Sequence, residues 1–519
     1  MVHDSAGHDQ MFMLMVLPTM DDPELKTVDR AWGAGQLSAL ANVAQERTAS
    51  MSWKHSDDNA AIEAIRASLQ RKDFAEALRG SEQQLARHPK AVELWALKGQ
   101  ALQGLEDWAD AASCFRQGLE YHPGNARLLV LQGHLHTRLG RGQEAVASYT
   151  AALAGDPSLT DAYRGLLNFR AIAADGPEVA ELLGLALSER RADSARARAL
   201  FLLGQIFVDA GMDQPGFAFF RQANALVART IERGKREYQV TAGAAAMTAE
   251  FFCRHTRREA AAPTCPAVIV AGLPRSGKSL VENLLAAHPR VTAGGELALV
   301  RKFVGSLNQR QGLEALAAQL ATESVSPLRQ HCPSPAAGIR YIVDTSPANL
   351  SRLGYLALLH PEVPIIFCRR EPLDLGLALY FKNFRSGHRY SYELATAGRA
   401  IAMAEKLMQH WREVLPNPMF EVRYEELVQD PQGTQRALFS SLGLGPDAVL
   451  EEPFAGTEWR LFPSRSIDSV GSISPDLVGF AKRFRHQLEP LLKAHAEEAT
   501  RPGFDANGAG GSKSRRQGA

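Results

Sequence analysis

The pairs His88-Pro89, His122-Pro123 and Asp156-Pro157 fall 34 residues apart, and Ala77, Ala111 and Ala145 keep the same interval. A fixed period of this length admits few architectures, because each unit must be a supersecondary element that buries its apolar face against its neighbours. Two amphipathic stretches of helical spacing run between successive markers. Phe74 and Trp108 hold equivalent places, and Gly99 and Gly133 fall where helices need close approach. Each unit reads as a helix pair. The stretch Ala195 to Arg229, with Leu202-Leu203-Gly204 and Phe217 to Ala223, reads as a further, degenerate unit covering the apolar end of the array.

At 519 residues the chain exceeds one ordinary core, so several domains are expected. The array is assigned to 59–235, a helical connector to 236–262 and an α/β domain with a parallel sheet to 263–495. Residues 1–58 carry no readable period, and 496–519, Gly/Ser-rich with Lys513, Arg515 and Arg516, reads as a disordered tail. An apolar share of 45% with 22% charged residues is that of a folded protein, and a net charge of +1 gives no field to recruit nucleic acid. The five cysteines are scattered without a C-x-x-C spacing, which argues against a disulfide framework or zinc site and fits a reducing, cytoplasmic compartment. The apolar run Met11 to Leu17 is too short for a membrane span and lacks the basic start of a signal peptide.

The segment Ala267-Val268-Ile269-Val270-Ala271 has the pattern of a buried strand, and Ser279 to His288 that of an amphipathic helix. Between them stands Gly272-Leu273-Pro274-Arg275-Ser276-Gly277-Lys278-Ser279, which satisfies G-x-x-x-x-G-K-S. Strand, loop and helix in that order aim unpaired backbone N–H groups and the positive helix end at one point. Arg275, Lys278 and the hydroxyls of Ser276 and Ser279 add charge and donors, so the turn is built for an anion. One reading is a P-loop kinase or NTPase using Mg-ATP, with Lys278 on the β/γ-phosphates, Ser279 on the metal and Asp344 as a second metal contact.

The helix-pair period resembles the tetratricopeptide repeat, with three clear copies over 59–160. Such arrays present a concave surface that holds a protein or peptide partner, or else they buttress the next domain; the period leaves both open. The second half has its own resemblance. Pro274-Arg275-Ser276-Gly277 with Glu282, His288-Pro289 and Gly294-Gly295-Glu296 resembles the sulfotransferases, especially tyrosylprotein-type and bacterial repeat-linked members. Phe367 to Asp374 followed by Tyr380 to Phe384 is similar to that family's second nucleotide motif, and Val422 to Leu427 with Asp430-Pro431 to its third.

The resemblance implies transfer of a sulfuryl group from 3′-phosphoadenosine 5′-phosphosulfate to a hydroxyl acceptor, a protein tyrosine being one candidate, without a metal. By resemblance Arg275, Ser276, Gly277, Lys278 and Ser279 cradle the 5′-phosphosulfate, and Arg370 grips the 3′-phosphate, where a planar guanidinium suits phosphate oxygens. Lys382 and Tyr424 lie beside the nucleotide. Glu296 is the candidate base, and Arg275 and Lys278 stand near charge developing on the leaving oxygen. Departures fall at the site itself: Lys278 replaces the family's usual threonine, Thr345 a common lysine and Ala378 a serine, while Ser464 to Lys482 lacks the usual tryptophan after the glycine. A noncatalytic nucleotide-binding scaffold is therefore a further reading. We take Lys278 to supply the charge missing at Thr345.

Overall fold

The computed structural model describes residues 56–238, 240, 243–255, 266–306, 312–322, 337–384, 386–445 and 477–503. The segment before 56, the part of the expected 496–519 tail that follows 503 and the stretch 464–476 lie outside the described residues, while residues 496–500, expected in that tail, complete the helix Glu489–Thr500. Two compact units divide at Leu226 and Val227.

Among the described residues the first unit is built of helices: α1 (Ser56–Gln70), α2 (Phe74–Arg87), α3 (Val92–Gly104), α4 (Trp108–Tyr121), α5 (Ala126–Arg138), α6 (Gly142–Gly155), α7 (Thr160–Leu166), α8 (Pro177–Leu187), α9 (Asp193–Asp209) and α10 (Asp213–Arg229), the last of which runs past the boundary. The 34-residue period appears in atomic detail. Asp73 and Asp107 cap α2 and α4 by accepting from the backbone N–H of Glu76 and Asp110 at 3.1 and 3.4 Å, which satisfies donors orphaned at a helix start.

Just ahead of those caps, Lys72 and Glu106 both adopt φ 63°, and Gly140 takes φ 71° at the equivalent place. The tight turn thus needs a left-handed residue in every copy, and only the third supplies the residue for which that is easy. Close helix approach recurs as well. A Cβ on Gly99 would lie 2.1 Å from the Phe115 ring, and one on Gly133 would lie 2.6 Å from the Tyr149 ring. Gly204 meets Phe220 at 2.8 Å with the same sixteen-residue separation, so the degenerate stretch packs as a repeat.

The second unit contains α11 (Ala249–His255), β1 (Ala267–Ala271), α12 (Lys278–Ala286), β2 (Val291–Ala293), α13 (Leu299–Ser306), α14 (Leu313–Thr322), β3 (Tyr341–Asp344) and α15 (Leu353–Leu359). It continues through β4 (Ile365–Arg369), α16 (Pro372–Tyr380), α17 (Leu394–Val414), β5 (Met419–Arg423), α18 (Tyr424–Gln429), α19 (Pro431–Ser441) and α20 (Glu489–Thr500). The sheet is parallel throughout, in the order β2-β3-β1-β4-β5.

Strand β1 is central and wholly buried, as a continuous Ala/Val/Ile run requires when helices cover both faces. Ala267, Ile269 and Ala271 face a core shared with α11, α13, α14, α15 and α17. Trp411 closes that core and donates its indole N–H to the Leu350 carbonyl at 2.9 Å. Helices α12 and α19 pack together, with Gln435 donating to the Leu284 carbonyl at 3.0 Å.

Two substitutions should act with opposite sign on the repeats. Glu106→Gly relieves a left-handed non-glycine residue and is expected to raise stability by roughly 0.5–1 kcal/mol. Gly99→Ala forces a methyl group into Phe115 and is expected to cost about 1–3 kcal/mol. Thermal and urea unfolding of both variants checks the pair.

Candidate functional site

The polar groups singled out in the sequence collect at the carboxyl ends of the five strands. The Gly272–Ser279 turn follows β1, Glu296 follows β2, Asp344 ends β3, Arg370 follows β4 and Tyr424 follows β5. From β1 the chain crosses to β2 on one side of the sheet, and after β3 it passes to β4 on the other. Open α/β sheets form their ligand crevice at such a reversal.

The turn after β1 is held by its own backbone demands. Gly272 has φ 153°, and a Cβ there would lie 2.7 Å from the Cys368 carbonyl oxygen on β4. Arg275, a non-glycine residue, sits at φ 70°, a strained placement that bends the chain toward α12. Gly277, at φ 101°, precedes the first helical residue, Lys278. Ser276 is buried and donates to the Leu273 carbonyl at 2.8 Å, while Ser279 is exposed on the first turn.

The Lys278 ammonium is buried and donates to the carbonyls of Gly272 at 3.0 Å and Leu273 at 3.3 Å. Burial pushes its pKa down to about 8, against the opposing pull of Cys368, Glu296 and Asp344. The lysine thus folds onto its own loop, and the exposed carboxylate of Glu296 acts on it.

Two guanidinium groups crowd the same edge. Arg370 is buried, donates from Nη1 to the Arg275 carbonyl at 3.2 Å, and places its guanidinium 4.1 Å from the Tyr424 ring centroid. Burial and the charge of Arg370 push Arg275 down to about 10. Arg370 Nε and the hydroxyl of fully buried Tyr424 have no hydrogen-bond partner among the described residues. Buried donors of this kind are normally satisfied, so their pairing with two repelling cations marks a place for an anion.

Glu282 of α12 reaches the turn that carries Glu296. Its carboxylate accepts from the Gly295 N–H at 2.6 Å and hydrogen-bonds the Thr345 side chain, while burial raises its pKa. The Thr345 N–H donates in turn to the Gly295 carbonyl at 2.9 Å. Asp344 is fully committed to structure: Oδ2 accepts from the Leu299 N–H at 2.9 Å, and Oδ1 accepts from the Ser346 N–H at 2.9 Å and from the Ser346 hydroxyl. It caps α13 rather than presenting oxygens for a second metal contact. Ala378 is buried within α16, and Lys382 is exposed beyond its end.

Two side chains were given no role in the sequence reading. Asp374 is buried and accepts from the N–H groups of Gly479 at 2.6 Å and Ala481 at 2.8 Å, tying the returning chain to α16. His388 lies in a left-handed turn after α16, where burial and the charge of Lys278 push its pKa down to about 4. The dipeptide Gly387-His388 just past the second motif was the available signal, and spacing alone gives it no direction.

Residues 266–447 match the sulfotransferase family and residues 96–159 the tetratricopeptide repeat. An uncharacterized protein of Aquifex aeolicus (strain VF5) is 26% identical over 384 residues, covering 69% of this chain and 49% of its own length. The nodulation protein NoeE of Sinorhizobium fredii (strain NBRC 101917 / NGR234) is 29% identical over 222 residues, covering 36% of this chain and 51% of its own. The chain thus spans about half the length of these curated relatives.

The sulfotransferase domain of the Synechococcus PCC 7002 olefin synthase aligns over 46% of this chain and 98% of its own, at 19% identity and a TM-score of 0.32. A MamA crystal structure aligns over 33% of this chain and 92% of its own, at 16% identity and a TM-score of 0.24. The class is that of parallel-sheet α/β domains preceded by a helical repeat array. More particularly, the chain carries a sulfotransferase-family domain behind tetratricopeptide repeats. Among the described residues no helix is long and apolar enough to cross a membrane.

Buried Lys278 gives this site a signature in stability. Its ordinary pKa of 10.5 is lowered on folding to about 8, so between those values the unfolded chain binds more protons than the folded one. Stability therefore gains a contribution that rises with pH across about 8 to 10.5, the charged form being the one that burial penalises. Urea unfolding across this range should show that rise in the native chain relative to Lys278→Met.

Proposed function

We propose that the α/β domain is a sulfotransferase that takes a sulfuryl group from 3′-phosphoadenosine 5′-phosphosulfate and transfers it to a hydroxyl on a protein or peptide. The observation that carries this reading is the pair Arg275 and Arg370 at the strand reversal, with Arg370 Nε and the Tyr424 hydroxyl buried and unsatisfied. Phosphate oxygens meet both needs at once, compensating two cations and accepting from two orphaned donors.

In this reading Arg370 grips the 3′-phosphate, with Tyr424 beneath its guanidinium and Lys382 nearby. Arg275, Ser276, Gly277, Lys278 and Ser279 receive the 5′-phosphosulfate. When that anion arrives, the Lys278 ammonium exchanges its loop carbonyls for donor oxygens, a motion that needs only side-chain rotation. Glu296 accepts the proton of the acceptor hydroxyl as its oxygen attacks sulfur. The sulfur–oxygen bond to the 5′-phosphate breaks, and Lys278 and Arg275 stabilise the charge left on that oxygen.

Thr345 is spent on Glu282 and the Glu296 turn, so Lys278 provides the leaving-group charge from a different backbone position. The P-loop NTPase reading has less support, because Asp344 already accepts three hydrogen bonds. The repeats are assigned to presenting a protein or peptide acceptor, and the family's donor chemistry calls for no metal. The repeats are assigned to about 59–235 and the catalytic domain to about 263–495.

Calorimetric titration should give tight binding of 3′-phosphoadenosine 5′-phosphate, with no competition by Mg-ATP. Arg370→Ala should weaken that binding by about ten- to a hundredfold, the worth of hydrogen bonds to a charged group. Preference for Mg-ATP, or no binding of either, overturns the reading. Glu296→Gln should lower turnover on tyrosine-containing peptides by about 10²–10⁴ while leaving nucleotide affinity unchanged. Lys278→Thr should lower turnover by about 10²–10³, with partial recovery on adding Thr345→Lys. An unchanged rate in Lys278→Thr rules out its assigned role.

A further inference from the structure

Glu296 stands in a short stretch whose two ends are tied to other elements. On the leading side, the Gly294 N–H donates to the Val343 carbonyl at 3.0 Å, and Gly295 is held by Glu282 at 2.6 Å and by the Thr345 N–H at 2.9 Å. On the trailing side, the Ala298 N–H donates to the Ser346 hydroxyl oxygen at 2.6 Å, and the Leu299 N–H donates to Asp344 Oδ2 at 2.9 Å. Leu297 packs on the core, and a Cβ on Gly294 would lie 2.6 Å from its Cδ1. Between Gly295 and Ala298, Glu296 is the one exposed residue.

The trailing tie restrains a strained residue. Ala298 is buried and takes φ 56°, a left-handed conformation that alanine disfavours. It stands just before the first residue of α13, where a side-chain acceptor normally caps the helix, and alanine has none. The cap comes instead from the end of β3, through Asp344 and Ser346, which are 0% and 3% exposed. The single hydroxyl proton of Ser346 goes to Asp344 Oδ1, so the hydroxyl oxygen is left to accept, and the Ala298 N–H is the donor that meets it. Without that hydroxyl a buried N–H is orphaned, and Ala298 loses the bond that keeps it left-handed.

We propose that Ser346 is a positioning residue for the Glu296 carboxylate: its hydroxyl, oriented by Asp344, holds Ala298 left-handed and so fixes the direction in which Glu296 leaves the turn. This rests on the sulfotransferase reading, in which Glu296 takes the proton of the acceptor hydroxyl, and it deepens that reading. The carboxylate is exposed, so its aim is set by the backbone that carries it. Proton transfer needs the base within hydrogen-bond reach of the hydroxyl, and a misplacement of about 1 Å costs on the order of 10² in rate. Relaxation of Ala298 out of the left-handed region turns the peptide two residues from Glu296. The nucleotide is spared this change, because Arg275 and Arg370 are carried by the ends of β1 and β4.

The test compares turnover of a tyrosine-containing peptide by the full chain with calorimetric binding of 3′-phosphoadenosine 5′-phosphate. Ser346→Ala is expected to lower kcat by about ten- to a hundredfold while nucleotide affinity stays unchanged. In the Glu296→Gln background the same substitution is expected to cost nothing further, because the group it aims is gone. Hydrogen exchange of the segment that carries Ala298 and Leu299 is expected to lose protection in Ser346→Ala.

An unchanged kcat in Ser346→Ala, or protection that survives there, overturns the role of Ser346 and leaves Glu296 standing as the base. A loss that adds to that of Glu296→Gln, or that extends to nucleotide affinity, marks general loosening of the domain and overturns it as well. If Glu296→Gln itself leaves turnover unchanged, or the native chain shows none, the reading of Glu296 fails and the role of Ser346 falls with it. Should Ser346→Ala fail to fold, Ser346→Cys takes its place, since a thiol keeps the volume and accepts only weakly, and the same contrast between kcat and nucleotide affinity decides.

Discussion

Like charges held together without their counter-ion govern this domain. Arg370 lies over the Tyr424 ring and donates to the backbone of Arg275, and burial together with the Arg370 charge lowers the pKa of Arg275. A cation on an aromatic face gains attraction from the ring quadrupole, yet this does not replace an anion. The arrangement persists because the backbone imposes it: Arg370 is fixed by the end of β4, Tyr424 by the end of β5, and Arg275 by a left-handed turn between glycines. Folding therefore holds two guanidinium groups together at the strand ends, an arrangement that a nearby anion would favour.

The rest of the edge follows from the same economy of groups. Glu282 is spent on Gly295 and Thr345, Asp344 on the start of α13, and Asp374 on the returning chain at Gly479 and Ala481. Each of these carboxylates is buried and holds backbone N–H groups. Glu296, by contrast, is exposed on a turn that those bonds hold in place. Rigid support beneath an accessible carboxylate is the arrangement that proton transfer to a positioned group demands.

Much of this was legible in the residues. The 34-residue interval predicts helix pairs, and the apolar run before Gly272 predicts a buried strand, because both depend on local periodicity that tertiary packing reinforces. The order of the three segments that carry the sulfotransferase resemblance likewise brings Arg275, Arg370 and Tyr424 to one edge, since parallel strands deliver all their carboxyl ends to the same side. What spacing could not convey was which polar group is consumed by the scaffold. Asp344 looks like a metal contact until its oxygens are seen to be capping a helix. Lys278 looks extended toward phosphate until its ammonium is found on the carbonyls of Gly272 and Leu273. The dipeptide Gly387-His388 gave only its position past the second motif, because the placement of the ring depends on two successive left-handed residues that spacing does not announce.

The recurring left-handed turn of the helical array carries a lesson of another kind. Lys72, Glu106 and Gly140 adopt one conformation at one position in three successive copies, although only glycine adopts it freely. A shape so tolerant of its occupant is dictated by the helices on either side, which interlock through Gly99 and Phe115 or Gly133 and Tyr149. Since each copy touches mainly its neighbours, the penalty at Lys72 or Glu106 is not transmitted along the array. Sequence drift at these turns is thereby decoupled from drift elsewhere, and copies of one ancestral unit can diverge in charge while their curvature stays the same.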